Sequence, residues 1–145
     1  MKILVLNGPN MNMLGIREKE IYGEKNFNLL VKTIEDYAKR KGIEVDCRQS
    51  NHEGDLVDWI QSAYFQHYDG IVMNPAAYTH TSIAIADAIK AIAPLPVVEG
   101  HISDIAEREE FRHRSFCKPY CIAQIKGKGW DGYLEAIDLL MKEGI

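Results

Sequence analysis

Met1-Lys2-Ile3-Leu4-Val5-Leu6-Asn7-Gly8-Pro9-Asn10 opens on a short apolar run that four turn-forming residues break. A continuous apolar run of this length, bounded by turn signals, reads as a strand buried on both faces, here Met1 to Leu6. From Gly8 to Asn26 no convincing helix follows, although the stretch carries Arg17 and Tyr22. A structureless stretch this long inside a compact domain is usually functional. In open α/β sheets the ligand binds outside the carboxyl ends of the strands, so the loop beginning at Asn7 is the first place to look for a site.

Downstream, strands and helices alternate. Phe27, Leu30, Val31, Ile34, Tyr37 and Ala38 recur at helical spacing, and Gly42 stops that helix. Ile43 to Gln49 reads as the second strand, with Val45 and Cys47 on one face. Leu56, Val57, Ile60, Ala63 and Tyr64 mark a second helix, Gly70 to Met73 a buried strand, and Ser82 to Ala93 a third helix that is apolar nearly all round. Pro96 to Glu99 is the fourth strand, followed by a short helix near Ile105 to His113 and a fifth strand from Tyr120 to Ile125. Tyr133, Leu134, Ile137, Leu140 and Met141 form the stripe of a closing helix. Apolar strands separated by amphipathic helices argue for a parallel sheet covered on both faces. Five such units in so short a chain fit the α/β flavodoxin-like order 2-1-3-4-5, with the crevice between strands one and three.

At 145 residues the chain makes about one domain, 1–145, large enough for a full core. Its apolar and charged fractions, 46% and 26%, are ordinary for a globular protein. A net charge of -4 argues against nucleic acid or anionic lipid as partner. Cys47, Cys117 and Cys121 are odd in number and lack zinc-ligand spacing, which reads as reduced thiols in a cytoplasmic protein. The N-terminal apolar run is too short for a signal peptide, and no window reaches the length of a membrane span.

The polar chemistry collects at three strand exits. After strand three comes Asn74-Pro75-Ala76-Ala77-Tyr78-Thr79-His80-Thr81-Ser82, where Thr81 or Ser82 can cap the next helix and His80 sits at its mouth. His80 reads equally as a loop histidine satisfied by backbone groups. After strand four, Glu99 and His101 are two apart and point to one side of an extended chain. A carboxylate beside an imidazole orients the ring and suits it to general acid work. Ser103 and Asp104 then cap the short helix, leaving the amides near Ile102 and Ser103 open to a carboxylate. Arg108 and Arg112, one turn apart, add positive charge, or else belong to a solvated face with ordinary ion pairs. In the first loop, Tyr22 has a phenol with an unperturbed pKa of about 10, and a guanidinium such as that of Arg17 favours the phenolate. Tyr22 can also be read as a packing anchor.

Gly127-Lys128-Gly129-Trp130-Asp131-Gly132 spells G-x-G-x-x-G, but it follows the last strand, and no later strand can supply the ribose-binding acid of a dinucleotide fold. These glycines are read as turn residues. A phosphoacceptor receiver domain shares the winding but needs acids where this chain has Asn7 and Asn74. A flavin-binding or regulatory module is the other rival; a colourless protein with enone-forming activity would dispose of it.

The chain resembles the type II 3-dehydroquinate dehydratases. The resemblance rests on Asn7-Gly8-Pro9-Asn10, Arg17-Glu18 with Ile21-Tyr22-Gly23, Arg48 through Gly54, Asn74-Pro75 with Tyr78 through Ser82, Glu99 with His101-Ile102-Ser103, and Arg108 through His113. It implies a flavodoxin-like protomer, a dodecamer of four trimers, and dehydration of 3-dehydroquinate to 3-dehydroshikimate in the shikimate pathway. By the same resemblance Tyr22 is the proton acceptor, Arg17 the transition-state stabiliser, and His101 the proton donor oriented by Glu99, with a water held near Asn10. Asn74, His80 and Arg112 hold substrate hydroxyls, Ile102 and Ser103 cradle the carboxylate, and Asp87 reaches a neighbouring subunit's site. No metal or organic cofactor is implied.

Four positions depart from the family's usual pattern. Lys19 stands where proline is common, Ala76 where glycine is usual, Gly100 where a branched apolar residue is usual, and Asp104 where asparagine is common. Ala76 is expected to crowd the substrate and Asp104 to add unhelpful negative charge.

Overall fold

The computed structural model of the chain describes residues 1–16 and 25–144. In chain order the regular elements are β1 (Lys2–Asn7), α1 (Phe27–Lys41), β2 (Glu44–Gln49), α2 (Glu53–Phe65), β3 (Gly70–Asn74), α3 (Ile83–Ala91), β4 (Val97–His101), β5 (Ala123–Lys126) and α4 (Asp131–Glu143). The strands pair in parallel as one sheet ordered β2-β1-β3-β4-β5. This is the flavodoxin-like α/β architecture that the alternation of apolar runs and amphipathic stripes predicts.

Strand pleating divides the core into two layers. Leu4 and Leu6 of β1 pack with Leu56 and Ile60 of α2 and with Ile85 and Ile89 of α3. Ile3 and Val5 face the other way, against Leu30 and Ile34 of α1 and Ile137 and Leu140 of α4. Ile3 through Leu6 are wholly inaccessible to solvent, and each such side chain contributes about 1.5–3 kcal/mol by leaving water. Helices therefore cover both faces of the sheet. Val45 and Cys47 share a face of β2, as expected, and pack on the α1/α4 side.

Capping residues set the helix limits. The Asn26 side chain accepts a hydrogen bond from the Leu29 amide at 2.9 Å, and α1 ends at Gly42 in the left-handed region. Ser82, rather than Thr81, caps α3 by accepting from the Ile85 amide at 2.9 Å.

Several boundaries differ from expectation. A 3₁₀ turn, Met11–Met13, interrupts the first loop. The expected helix Ile105 to His113 is two separate 3₁₀ turns, Ile105–Glu107 and Glu110–Arg112, because Arg108 between them is extended. Strand five begins at Ala123 rather than Tyr120; Pro119, which has no N–H for a sheet ladder, instead belongs to a turn, Lys118–Tyr120. In this chain α3 is not covered on every side, since Ile83, Ala84, Asp87 and Lys90 form an exposed stripe.

The register carries the polar residues to one end of the sheet. Asn7 pairs with Gln49 on β2 and with Asn74 on β3, so three amide side chains line up at the carboxyl edge. Glu99 pairs with Met73 on one side and Gln124 on the other.

Candidate active site

A cavity of about 600 Å³ opens over that carboxyl edge. Pro9, Asn10, Met11 and Leu14 line it from the segment after β1; Asn74, Ala76, Ala77 and His80 from the segment after β3. His101, Ile102, Ser103, Ile105, Arg108 and Arg112 close it from β4, with Lys25 and Trp130 at its margin. Arg17 and Tyr22 lie outside the described residues. Leu14 and Lys25, on either side of that segment, both belong to the lining.

The wall after β1 is held by the segment after β2. Gln49 Nε2 donates to the Gly8 carbonyl at 3.1 Å, and the Asn10 amide donates to Asn51 Oδ1 at 2.9 Å. Tyr78 OH donates to the Asn51 carbonyl at 2.8 Å, so one asparagine joins two walls of the cavity. At Gly8 a Cβ would stand 2.4 Å from the Pro75 carbonyl oxygen, so only glycine lets the β1 and β3 exits approach this closely. Asn10 and Ala76 both have positive φ, 70° and 53°. Asparagine tolerates that region, whereas alanine carries a steric cost there. The usual glycine at position 76 is thus explained by the backbone as well as by room for a ligand.

A buried carboxylate–imidazole pair stands at the cavity wall. Glu99 is fully buried and His101 is 8% exposed. His101 Nε2 lies 2.5 Å from Glu99 Oε2. Thr79 Oγ1 donates to Oε2 at 2.7 Å, Ser115 Oγ lies 2.7 Å from Oε1, and Gln124 Nε2 donates to Oε2 at 3.2 Å. A carboxylate that accepts from so many donors is held ionised, since a carboxylic acid would have to donate one proton itself. Burial raises the Glu99 pKa, but the hydrogen bond and charge of His101, with the Thr79 and Ser115 hydroxyls, bring it below its ordinary value. With Nε2 committed to Glu99, Nδ1 is the remaining ring nitrogen of His101, and the residue lines the cavity. A buried anion that fixes an imidazole at a cavity wall can serve proton transfer.

The surrounding groups favour an anionic, hydroxylated ligand. Arg108 and Arg112 both reach the lining, and Arg112 Nε donates to Glu109 Oε2 at 2.6 Å. The i,i+3 ion pair of the solvated-face reading therefore forms, and Arg112 faces the cavity as well. His80 Nδ1 is 2.7 Å from the Arg114 carbonyl, so the backbone satisfies one ring nitrogen while the residue still lines the cavity. Asp104 alone caps its 3₁₀ turn, through the Ala106 amide at 2.9 Å. Its carboxylate lies 3.6 Å from Lys126 Nζ and outside the cavity lining, which offsets the expected penalty of its charge. A Cβ at Gly100 would meet nothing within 4 Å, so the absent side chain leaves open space beside His101.

The sequence alone assigns no role to Thr79, Ser115, Gln124 or Lys25. Gln124 has a sequence signal, as the polar residue between Ala123 and Ile125 on the edge strand β5. In the glycine-rich motif, Gly127 and Gly129 have positive φ and make the turn. Gly132, read as a turn residue, is instead helical within α4, where a Cβ would lie 3.3 Å from Ile125. Among the described residues, no His/Cys/Asp/Glu group is placed to hold a metal, and no helix is long and apolar enough to cross a membrane.

The fold is an open flavodoxin-like α/β sheet with a carboxylate-braced histidine at its carboxyl edge, on the wall of a polar cavity. The family model described as dehydroquinase class II matches residues 1–141. A 3-dehydroquinate dehydratase of Clostridium perfringens is 55% identical over 142 residues, covering 98% of this chain and 97% of that protein. The crystal structure of a type II dehydroquinase from Butyrivibrio crossotus superposes with a TM-score of 0.93 at 57% identity, covering 97% of each chain. That of the Propionibacterium acnes type II dehydroquinase gives 0.88 at 41% identity, covering 97% of this chain and 96% of the other. The chain belongs to the class II dehydroquinase family.

Proposed function

We propose that the chain, as one catalytic domain over 1–145, is a hydro-lyase that removes water from 3-dehydroquinate to give 3-dehydroshikimate, the third step of the shikimate pathway leading to chorismate and the aromatic amino acids. The observation that carries this reading is the buried Glu99–His101 pair opening into a cavity lined by Asn10, Asn74, Ile102, Ser103 and Arg112, in a chain of this family.

The reaction begins at carbon 2, beside the ketone. Tyr22, as phenolate kept charged by Arg17, takes the carbon 2 proton, and the C–H electron pair becomes the enolate. A water near Asn10 stabilises the enolate oxygen. The enolate then collapses: its oxygen regains the carbonyl, the enolate π pair becomes the second bond between carbons 1 and 2, the carbon 1–oxygen bond breaks, and His101 protonates the leaving hydroxyl to water. Glu99 holds the ring for that transfer. Asn74, His80 and Arg112 bind substrate hydroxyls, while the Ile102 and Ser103 amides and the Ser103 hydroxyl receive the carboxylate.

Asp87 is exposed on α3 and does not line the cavity of its own chain. It shares its stripe with Ile83, which is 59% exposed. This supports a role for Asp87 toward the site of an adjacent protomer in a homo-oligomer, a dodecamer of four trimers. The setting is cytoplasmic.

Proton NMR of 3-dehydroquinate incubated with the purified protein tests the activity. The carbon 2 methylene signals are expected to give way to one vinylic proton. Methylene signals that persist unchanged would contradict the reading.

A further inference from the structure

Asn74 is held from both ends of its amide. Its Oδ1 accepts from the Ala76 N–H at 3.0 Å, and its Nδ2 donates to Tyr133 OH at 2.9 Å. Tyr133 OH in turn donates to Asn7 Oδ1 at 2.5 Å. Asn7, Asn74 and Tyr133 are 0%, 3% and 4% exposed. Burial pushes the Tyr133 phenol well above its ordinary value, so the hydroxyl keeps its proton. That single proton goes to Asn7, which leaves the oxygen lone pairs to accept from Asn74.

The direction of the Asn74 amide follows. Its oxygen is committed to Ala76 and one N–H to Tyr133, so the group left to face the cavity is the second N–H. Besides Tyr133, Nδ2 meets among the described residues the Met11 sulfur, at 3.7 Å, a weak acceptor that also lines the cavity. A ligand oxygen can replace this contact with a stronger one. Turning the amide over would set its nitrogen against the Ala76 N–H, which costs that hydrogen bond, and would require the Tyr133 proton to leave Asn7 for the turned oxygen.

Resting on the reading of Asn74 as a substrate-binding group, we propose that Tyr133 is a positioning residue that fixes Asn74 as a hydrogen-bond donor to a substrate hydroxyl oxygen. The closing helix α4 thereby sets the polarity of a cavity wall formed after β3. A contact present in both ground and transition states affects KM and leaves kcat unchanged.

The test is a cycle of wild type, Tyr133→Phe, Asn74→Ala and the double variant, with KM and kcat for 3-dehydroquinate. Tyr133→Phe is expected to raise KM by about tenfold with kcat within about twofold. In the Asn74→Ala background the same change should alter KM by less than about twofold. An unchanged KM in Tyr133→Phe, a fall in kcat alone, or a full effect persisting without Asn74 would each overturn the proposal. Should Tyr133→Phe fail to fold, Asn7→Ala removes the acceptor that directs the tyrosine proton; KM is then expected to rise about threefold, and an unchanged KM overturns the proposal. If wild type leaves 3-dehydroquinate unchanged, the activity reading fails while the orientation claim can still be tested. Hydrogen exchange of the Asn74 side-chain amide should be slow in wild type and fast in Tyr133→Phe. Equal exchange in both would overturn it.

Discussion

His101 Nε2 lies 2.5 Å from Glu99 Oε2 on the same side of β4, and the carboxylate is fully withdrawn from water. Their two-residue spacing places both side chains on one face of the strand. The cost of burying the anion is met by Thr79, Ser115 and Gln124, which donate from three separate segments. The imidazole thus has a fixed partner on one nitrogen, while its other nitrogen makes no hydrogen bond among the described residues.

Removing the charge while keeping the shape tests this arrangement. Glu99→Gln should lower turnover by about tenfold or more, because the ring loses its anionic partner. Near wild-type turnover in Glu99→Gln would show that the ring needs no anion behind it.

The same substitution should change the acid branch of stability. Glu99 has a folded-state pKa below its ordinary value. Its stabilising contribution is therefore complete above the unfolded pKa of about 4.3 and is lost as pH falls through the folded value. The Tm of wild type should accordingly drop more steeply than that of Glu99→Gln as pH falls below about 5. Parallel curves would contradict a depressed Glu99.

Ala76→Gly should stabilise the protein. A residue at φ 53° carries a steric cost as alanine that is absent in glycine, about 1 kcal/mol, which corresponds to a rise in Tm of about 2–4 °C. An unchanged or lower Tm would mean that Ala76 is not strained.

Covalent catalysis through a Schiff base is expected to be absent. Lys25 is the cavity-lining lysine among the described residues; it is exposed, and its ammonium lies 5.6 Å from the Trp130 ring centroid. A lysine nucleophile needs a desolvated or charge-depressed amine. Borohydride added with 3-dehydroquinate should leave the protein active and its mass unchanged. A reduced adduct on any lysine would refute the enolate route.

The sheet and its order were legible in the sequence because burial on both faces writes Ile3–Leu6 and Ile71–Met73 as unbroken apolar runs. Glu99 and His101 were legible because they are near neighbours on one strand. The groups that keep Glu99 ionised were not, since Thr79, Ser115 and Gln124 lie 20, 16 and 25 residues away; Gln124 meets it through the β4–β5 register, and Thr79 and Ser115 reach it from a turn and a loop. Tyr133, 126 residues from Asn7, read as a core residue of α4 and nothing more. Local rules also failed between Ile105 and Arg112, where a helical pattern of apolar and basic residues gives way to two tight turns that both supply the cavity.

The proposed dehydration through an enolate, with Tyr22 and His101 as base and acid, yields a conjugated enone that ultraviolet absorbance follows directly. Wild-type protein mixed with 3-dehydroquinate should build up that absorbance, while Tyr22→Phe and His101→Gln, folded as wild type by circular dichroism, should be slower by at least about a hundredfold. No absorbance change with wild type would contradict the dehydratase activity, and near-wild-type rates in both variants would contradict proton transfer by Tyr22 and His101.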